Sequence, residues 1–160
     1  MSTTAERSAA LRIEPRSYDD GDVARLVAQV QREYVVRYGG EDEAAVDLAE
    51  FVPPAGRFYL GLLDGAPSVT GGWRRIGDDA VEIKRMYVVP AARGRGLARR
   101  MLAELEVSAA GAGAHRAILN TGDKQPEAVA LYESAGYHPV DAFGHYARTP
   151  GALFYGKSLR

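Results

Sequence analysis

The sequence contains no cysteine in its 160 residues and little histidine. Without cysteine the chain can form neither a disulfide nor a thiolate metal site, and it has no thiol nucleophile. Three scattered histidines do not form the cluster that a histidine-based metal site requires. We therefore expect no metal cofactor.

The sequence also has almost no net charge and lacks a long apolar run. Its 20 Lys and Arg residues nearly balance 21 Asp and Glu residues, which leaves a formal net charge of -1. A general binder of nucleic acid or of a membrane surface is expected to be basic, so we expect neither partner. The amino terminus has no apolar signal-peptide core, and no apolar run reaches the roughly 18 residues of a membrane span. These features favour a cytoplasmic protein in which any cationic site is local.

The patterns that are present predict one mixed α/β domain over residues 10–160, after a polar, flexible leader of residues 1–9. The predicted order is β-α-α-β-β-β-α-β-α-β-β. The first helix follows a cap at Asp19, Asp20 or Asp22 and ends at Gly39-Gly40. A second, short helix is predicted over residues 43–50, and three strands form a meander between residues 58 and 89.

The segment VVPAARGRGLARRML, residues 88–102, joins the last meander strand to an amphipathic helix. Gly94 and Gly96 stand at the helix start, although a glycine inside a helix costs about 1 kcal/mol. A helix amino terminus carries unpaired N–H groups and a partial positive charge, and glycines leave that backbone bare. Arg93 and Arg95 add cationic donors. The segment therefore predicts a diphosphate-binding site.

Two common nucleotide-binding patterns do not fit this segment. No Lys-Ser/Thr pair follows the glycines as in a P-loop, and Arg99 breaks the Rossmann pattern G-x-G-x-x-G/A. A flexible turn beside solvated arginines is the structural alternative. An RNA-binding Arg-Gly segment fits the local composition but not the acidic remainder of the chain.

The remaining pattern, Arg93-x-x-Gly96-x-Ala98, and the later segment PEAVALYESAGY resemble the GCN5-related N-acetyltransferase (GNAT) family. The resemblance extends over roughly residues 10–160 and implies the GNAT fold, with acetyl-CoA as the co-substrate. Members of that family bind the acetyl-CoA pyrophosphate on a [Q/R]-x-x-G-x-[G/A] loop.

The resemblance also implies which residues contact the co-substrate. The backbone of residues 86–88 would pair with the pantetheine arm as an added strand, and an N–H near Met86 or Tyr87 would polarise the thioester carbonyl. Gln125 stands where the family often has an asparagine. The predicted cofactor-binding residues are Met86, Tyr87, Val88, Arg93, Gly94, Arg95, Gly96, Leu97, Ala98 and Gln125.

Two catalytic residues are predicted from the same resemblance. Tyr132 matches a tyrosine that protonates the departing CoA thiolate, and the alternative is a core aromatic. Glu82 matches a glutamate that removes the amine proton, and strand alternation predicts that it shares a face with Met86. The alternative for Glu82 is an exposed strand carboxylate. His145 and Tyr146 are weaker candidates.

The acceptor is the least constrained part of the prediction. Arg37 with Lys84 or Arg85 would hold an acceptor carboxylate, whereas the acidic run at residues 41–43 would attract a cationic amine. The predicted function is transfer of acetyl to a primary amine of a small-molecule or amino-acid-like acceptor. Acetylation of a protein terminus or lysine, a non-catalytic acyl-CoA-sensing domain and a homodimer stay open. The predicted acceptor pocket also includes Tyr34, Tyr38, Trp73, Phe143, His145 and Tyr146.

Overall fold

The computed structural model describes residues 10–43 and 46–159. Seven strands form a single sheet, which three α-helices cover in this part of the chain. The strand order across the sheet is β1-β2-β3-β4-β5-β7-β6. The elements are β1 (Leu11–Pro15), α1 (Gly21–Tyr38), β2 (Gly56–Leu63), β3 (Ala66–Ile76), β4 (Ala80–Val88), α2 (Leu97–Gly111), β5 (Arg116–Gly122), α3 (Pro126–Ser134), β6 (His138–Pro139) and β7 (Ala152–Ser158).

The mixed α/β architecture and the meander β2-β3-β4 confirm the fold class predicted from the sequence. The predicted second helix was wrong. A single 3-10 turn, Leu48–Phe51, occupies the end of that region. Asp47 and Glu50 form a capping box at its start, but the turn ends at Phe51, which packs onto Phe58, because Val52 is already extended. Ala44 and Ala45, and the predicted leader of residues 1–9, lie outside the described residues.

Helix α1 begins and ends where its capping residues stand. The Asp20 carboxylate accepts hydrogen bonds from the N–H groups of Asp22 and Val23, and Gly39 ends the helix in the left-handed conformation. Its buried residues Val23, Leu26 and Val30 pack with Phe58, Leu60 and other side chains into one hydrophobic cluster. No helix in the described ranges is long and apolar enough to cross a bilayer.

Helices α2 and α3 share a second hydrophobic cluster with the sheet. Met101, Leu102 and Leu105 of α2 are fully buried in it, and Tyr132 of α3 joins it beside Tyr137. The sheet therefore separates two clusters, with α1 in one and with α2 and α3 in the other.

Two irregularities of β4 shape the site. First, β4 pairs with the parallel strand β5 only from Ala80↔Arg116 to Glu82↔Ile118, and the two strands then diverge. Second, Arg85 has φ of +59°, and the pairing with β3 shifts register between Thr70 and Gly72. This is a β-bulge, which re-aims the side chains that follow it.

Candidate active site

The amino terminus of α2 presents a run of bare backbone N–H groups. In the described part of the chain, no backbone carbonyl or side chain accepts a hydrogen bond from the N–H groups of residues 94–99. Gly94 and Gly96 both have positive φ, +79° and +74°, and a Cβ built on either would meet nothing within 4 Å. Whereas Asp20 caps α1, no side chain caps α2 and no acidic residue stands in its first turn. Unpaired donors, open space and a helix dipole fit an anion such as a diphosphate.

The two arginines of this loop differ in their surroundings. The Arg93 guanidinium donates to the Val88 carbonyl at 3.0 Å, pairs with Glu33 of α1 and lies over the Tyr87 ring. Its guanidinium is therefore held against α1. Arg95 is exposed. The side chain of Leu97 is buried in the core, so Leu97 offers the site only its backbone.

The divergence of β4 and β5 opens a cavity of about 490 Å³. Its size lies within the range of small-molecule sites. The β4 wall leads through Val88 directly to the α2 loop, so an extended ligand lying along this strand edge would connect the two. The lining includes residues 83–86 of β4, residues 120–122 of β5, and Tyr34, Tyr38, Asp42, Gln125, Tyr132 and Tyr146.

Tyr132 lines this cavity while most of its side chain is buried, with 7% exposed. Its hydroxyl makes no hydrogen bond within the described residues, and its ring packs edge-on against Tyr137 at 5.8 Å. Burial raises the pKa of Tyr132 well above its ordinary value, because the phenolate would lose its hydration. The hydroxyl therefore keeps its proton at neutral pH, in a residue that lines a space where a leaving group could sit.

Glu82 and Met86 lie on opposite faces of β4, so the predicted shared face was wrong. A Cβ added at Gly71 would lie 2.8 Å from Met86 Sδ and 2.9 Å from Leu105 Cδ1, which places Met86 toward α2. Glu82 instead forms an ion pair with Arg74 at 2.8 Å and does not line the cavity. The cause is the bulge at Arg85, which breaks the two-residue alternation between these positions.

A buried charge cluster forms part of the cavity wall. Lys84 and Arg85 both reach the Asp42 carboxylate, Lys84 Nζ at 3.4 Å. The Tyr146 hydroxyl donates to the same carboxylate at 2.6 Å. The cluster joins β4 to the chain segment after α1 and to the loop before β7. The sequence analysis treated Lys84 or Arg85 and the acidic run that includes Asp42 as opposing alternatives. It had no signal that they meet or that Tyr146 joins them.

A polar contact between α1 and the start of α3 closes another side of the cavity. The Tyr38 hydroxyl donates to Gln125 Oε1 at 3.1 Å, and Thr121 lies 3.4 Å from the same oxygen. Gly122 lies so close to Tyr38 that a side chain there would overlap with the phenol. Gln125, which the sequence analysis named as a ligand contact, thus lines the cavity. Its amide oxygen already accepts hydrogen bonds from Tyr38 and Thr121.

Several predicted acceptor-pocket residues lie elsewhere. Trp73 is 1% exposed in the core, where its Nε1–H donates to Ser108 at 2.9 Å. Phe143 packs on Phe154 and does not line the cavity. Arg37 donates to the Lys124 carbonyl and pairs with Glu127 outside it. Periodicity could not separate these positions, because a core aromatic and a pocket aromatic have the same pattern.

Asn120 is the one β5 residue with a side-chain amide that lines the cavity, and the sequence analysis did not single it out.

No group of three or more histidine or acidic side chains in the described ranges is arranged to hold a metal ion.

Comparison with known proteins identifies relatives of this chain. The model of a family described as the acetyltransferase (GNAT) family matches residues 24–137. The IAA acetyltransferase of Azospirillum brasilense is 32% identical over 145 residues, which cover 86% of this chain and 90% of that protein.

Solved structures share the fold. A Klebsiella pneumoniae protein, provisionally named an acyl-CoA N-acyltransferase, superposes with a TM-score of 0.84 at 27% identity, over 96% of this chain and all of that one. The protein yncA of Salmonella typhimurium, provisionally named an acetyltransferase and solved with its cofactor acetyl-CoA, gives a TM-score of 0.71 at 19% identity. That match covers 94% of this chain and 95% of yncA.

Proposed function

Because the chain belongs to the acetyltransferase (GNAT) family of acetyl-CoA-dependent acyltransferases, we propose that it acetylates a primary amine of a small, amino-acid-like molecule. The observation that carries this proposal is the continuity of three features. The free edge of β4 borders the cavity beside Tyr132 at one end, and at the other end it leads to the bare N–H groups of residues 94–99. Together they suit a long cofactor with an anionic end and a reactive end.

In this proposal, the residues near the anionic end of the cofactor and those near its reactive end have separate roles. The N–H groups at the start of α2 bind the diphosphate, and Gly94 and Gly96 give it access to the backbone. The unpaired edge of β4 after Glu82 provides backbone donors and acceptors for the pantetheine arm and for the thioester carbonyl. When bound, acetyl-CoA supplies an acetyl group already activated as a thioester.

Tyr132 is the proposed general acid. In the transfer, the amine nitrogen forms a bond to the acetyl carbon while the carbon–sulfur bond breaks. The amine gives up a proton and the thiolate gains one. A buried phenol that keeps its proton at neutral pH, next to the cavity, can supply that proton to sulfur.

The identity of the general base has less structural support than that of the general acid. Glu82 stays a prediction, but its ion pair with Arg74 and its position outside the cavity weaken it as a direct proton acceptor. A homodimer and a cytoplasmic location also stay predictions.

The test of this function is release of free CoA thiol from acetyl-CoA across a panel of amines, with mass spectrometry of the products. The panel holds amino acids, simple amines and lysine-containing peptides. An N-acetylated small amine is the expected product. Acetylated peptide alone would favour the protein-directed alternative, and binding of acetyl-CoA without thiol release for any amine would favour an acyl-CoA sensor.

The role of Tyr132 is tested by Tyr132→Phe. Removing the hydroxyl is expected to lower kcat about 100-fold or more, with acetyl-CoA affinity unchanged. Tyr59→Phe is the matched control, because the Tyr59 hydroxyl donates to Ser108 in the core and does not line the cavity. A Tyr132→Phe enzyme with the same kcat as Tyr59→Phe would remove Tyr132 from this role.

A further inference from the structure

We propose that Lys84 and Arg85 form an anion-binding site in the cavity, so that the amine acceptor carries a carboxylate. This inference rests on the proposed function, because it specifies the substrate class of the same cavity. It chooses between the two acceptor charges that the sequence left open.

Both cations are buried and both line the cavity. Lys84 is 6% exposed and Arg85 is 7% exposed, although arginine and lysine are rarely buried unless paired. Neighbouring residues of a regular strand point to opposite faces, but these two reach the same carboxylate. The left-handed backbone of Arg85, φ +59°, makes this possible. Such a conformation is unfavourable for an arginine, and strained residues of this kind cluster at functional sites.

The positive charge of the pair exceeds what its shared carboxylate supplies. Lys84 and Arg85 bring two positive charges to the single carboxylate of Asp42. Burial lowers the pKa of Lys84, and the neighbouring Arg85 and Arg74 add to this effect, although the negative charges of Asp42 and Glu82 act in the opposite direction. A ligand carboxylate in the cavity would supply the missing charge with charge-assisted hydrogen bonds.

The other charged groups near this pair, among the described residues, do not supply this negative charge inside the cavity. The charge of Glu82 acts on Lys84, but Glu82 lies outside the cavity and shares its charge with Arg74, which also binds Glu50. Glu41 and Glu43 line the cavity, but they are exposed at its opening, where water screens their charge. The cavity is thus cationic in its interior and acidic at its mouth.

The position of the cations sets the size and shape of the acceptor. Lys84 and Arg85 immediately precede Met86, and one or two residues of strand span about 3–7 Å. A carboxylate at the pair would therefore hold an amine near Met86 and Tyr132 if a few bonds separate the two groups, as in an amino acid. Four tyrosines among the lining residues, at positions 34, 38, 132 and 146, provide flat apolar surface for a side chain. The predicted acceptor class is an amino acid, with an aromatic one fitting well.

The experiment compares amino acids with their carboxamides as acceptors in the thiol-release assay. L-Phenylalanine is paired with L-phenylalaninamide, and leucine, glycine and glutamate are paired in the same way. The amine of an amide is less basic and more often deprotonated near neutral pH, so amine ionisation alone would favour the amide. We expect the free acids to have at least about tenfold higher kcat/KM, the usual effect of a lost charge-assisted hydrogen bond.

Variants test whether the preference for free acids over amides depends on the Lys84–Arg85 pair. Lys84→Met should raise the KM for the acid about tenfold and leave that for the amide nearly unchanged, while Lys84→Arg should keep the preference. Lys157→Met is the matched control, because Lys157 pairs with Glu106 at 2.8 Å away from the cavity. Circular dichroism and unfolding curves verify that each variant is folded, and Lys84→Gln, which removes the charge but keeps a polar side chain, is the decisive variant if Lys84→Met does not fold.

A binding arm separates this inference from the proposed function. 3-Phenylpropionate has the carboxylate without the amine, and it should raise the melting temperature of the wild type but not of Lys84→Met, with 3-phenylpropanamide as the control. Stabilisation by the acid without turnover of any amine would defeat the proposed function and keep the anion site. Equal use of acids and amides, or a preference unaffected at Lys84, would overturn the inference, as would the absence of both turnover and stabilisation.

Discussion

Replacing Gly96 with alanine tests the binding of the diphosphate at the start of α2. Gly96 has φ of +74° and no atom of the described residues lies within 4 Å of where its Cβ would be, so the added methyl group meets nothing in that part of the protein. The substitution therefore has two separable effects. It strains the backbone of the free protein, and it fills the space from which an anion would approach the bare N–H groups of residues 94–99.

The size of each effect follows from the structure. An alanine in the left-handed region costs about 1–2 kcal/mol, which lowers the melting temperature by about 2–8 °C in a chain of this length. Acetyl-CoA at 100 times its Kd should stabilise the wild type by about 2.7 kcal/mol, or about 5–11 °C. Gly96→Ala should lose most of this ligand-dependent shift.

Gly113→Ala is the matched control, measured by the same thermal unfolding with and without acetyl-CoA. Gly113 follows the other end of α2, has φ of +92° and also has nothing within 4 Å of its Cβ position. We expect Gly113→Ala to lose stability by a similar amount and to keep the full acetyl-CoA shift. If Gly96→Ala responds to acetyl-CoA as strongly as the Gly113 variant, the diphosphate does not bind at this helix terminus.

Two further predictions concern stability. Ser108→Ala should lower the free energy of unfolding by about 2 kcal/mol or more, measured by urea denaturation, because it leaves the Tyr59 hydroxyl and Trp73 Nε1–H without their acceptor; a loss no larger than that of Tyr59→Phe would contradict this. Burial, with a smaller contribution from Asp42, raises the pKa of Tyr34 from 10.0 to about 12. Between these values the unfolded chain loses the proton that the folded chain keeps, so stability should fall as pH rises, and Tyr34→Phe should make that fall shallower. An equally steep fall in the variant would show that Tyr34 titrates normally.

Much of the fold could be read from local signals in the sequence. The structure places the α1 cap at Asp20, one of the three predicted candidates, and ends the helix at Gly39, as the sequence predicted. The open backbone of the α2 loop could also be predicted from the sequence, because positive-φ glycines and an uncapped helix start depend only on adjacent residues. The predicted short second helix was wrong, although its region also contains a local helix-start signal. The capping box of Asp47 and Glu50 with the inward Phe51 produced only a single 3-10 turn.

The cavity could not be read in the same way. Nothing local marks Arg85 as a left-handed residue, since such positions usually hold glycine, and so strand alternation misplaced Glu82 relative to Met86. The bulge arises where β4 pairs with β3, through a register shift that neither strand displays by itself. Trp73 likewise looked like a pocket aromatic until the packing of α2 placed it against Ser108.

By itself, the sequence determined the order of most strands and helices and the glycine-rich, uncapped start of α2, because caps, turns and periodicity act over a few neighbouring residues. The tertiary structure alone decided which side chains surround the cavity. Asp42, Arg85 and Tyr146 meet there although residues 42 and 146 are 104 positions apart in the chain. Strand pairing, the divergence of β4 from β5 and the bulge at Arg85 bring these charges together, and long-range contacts of this kind leave no periodic trace in a sequence.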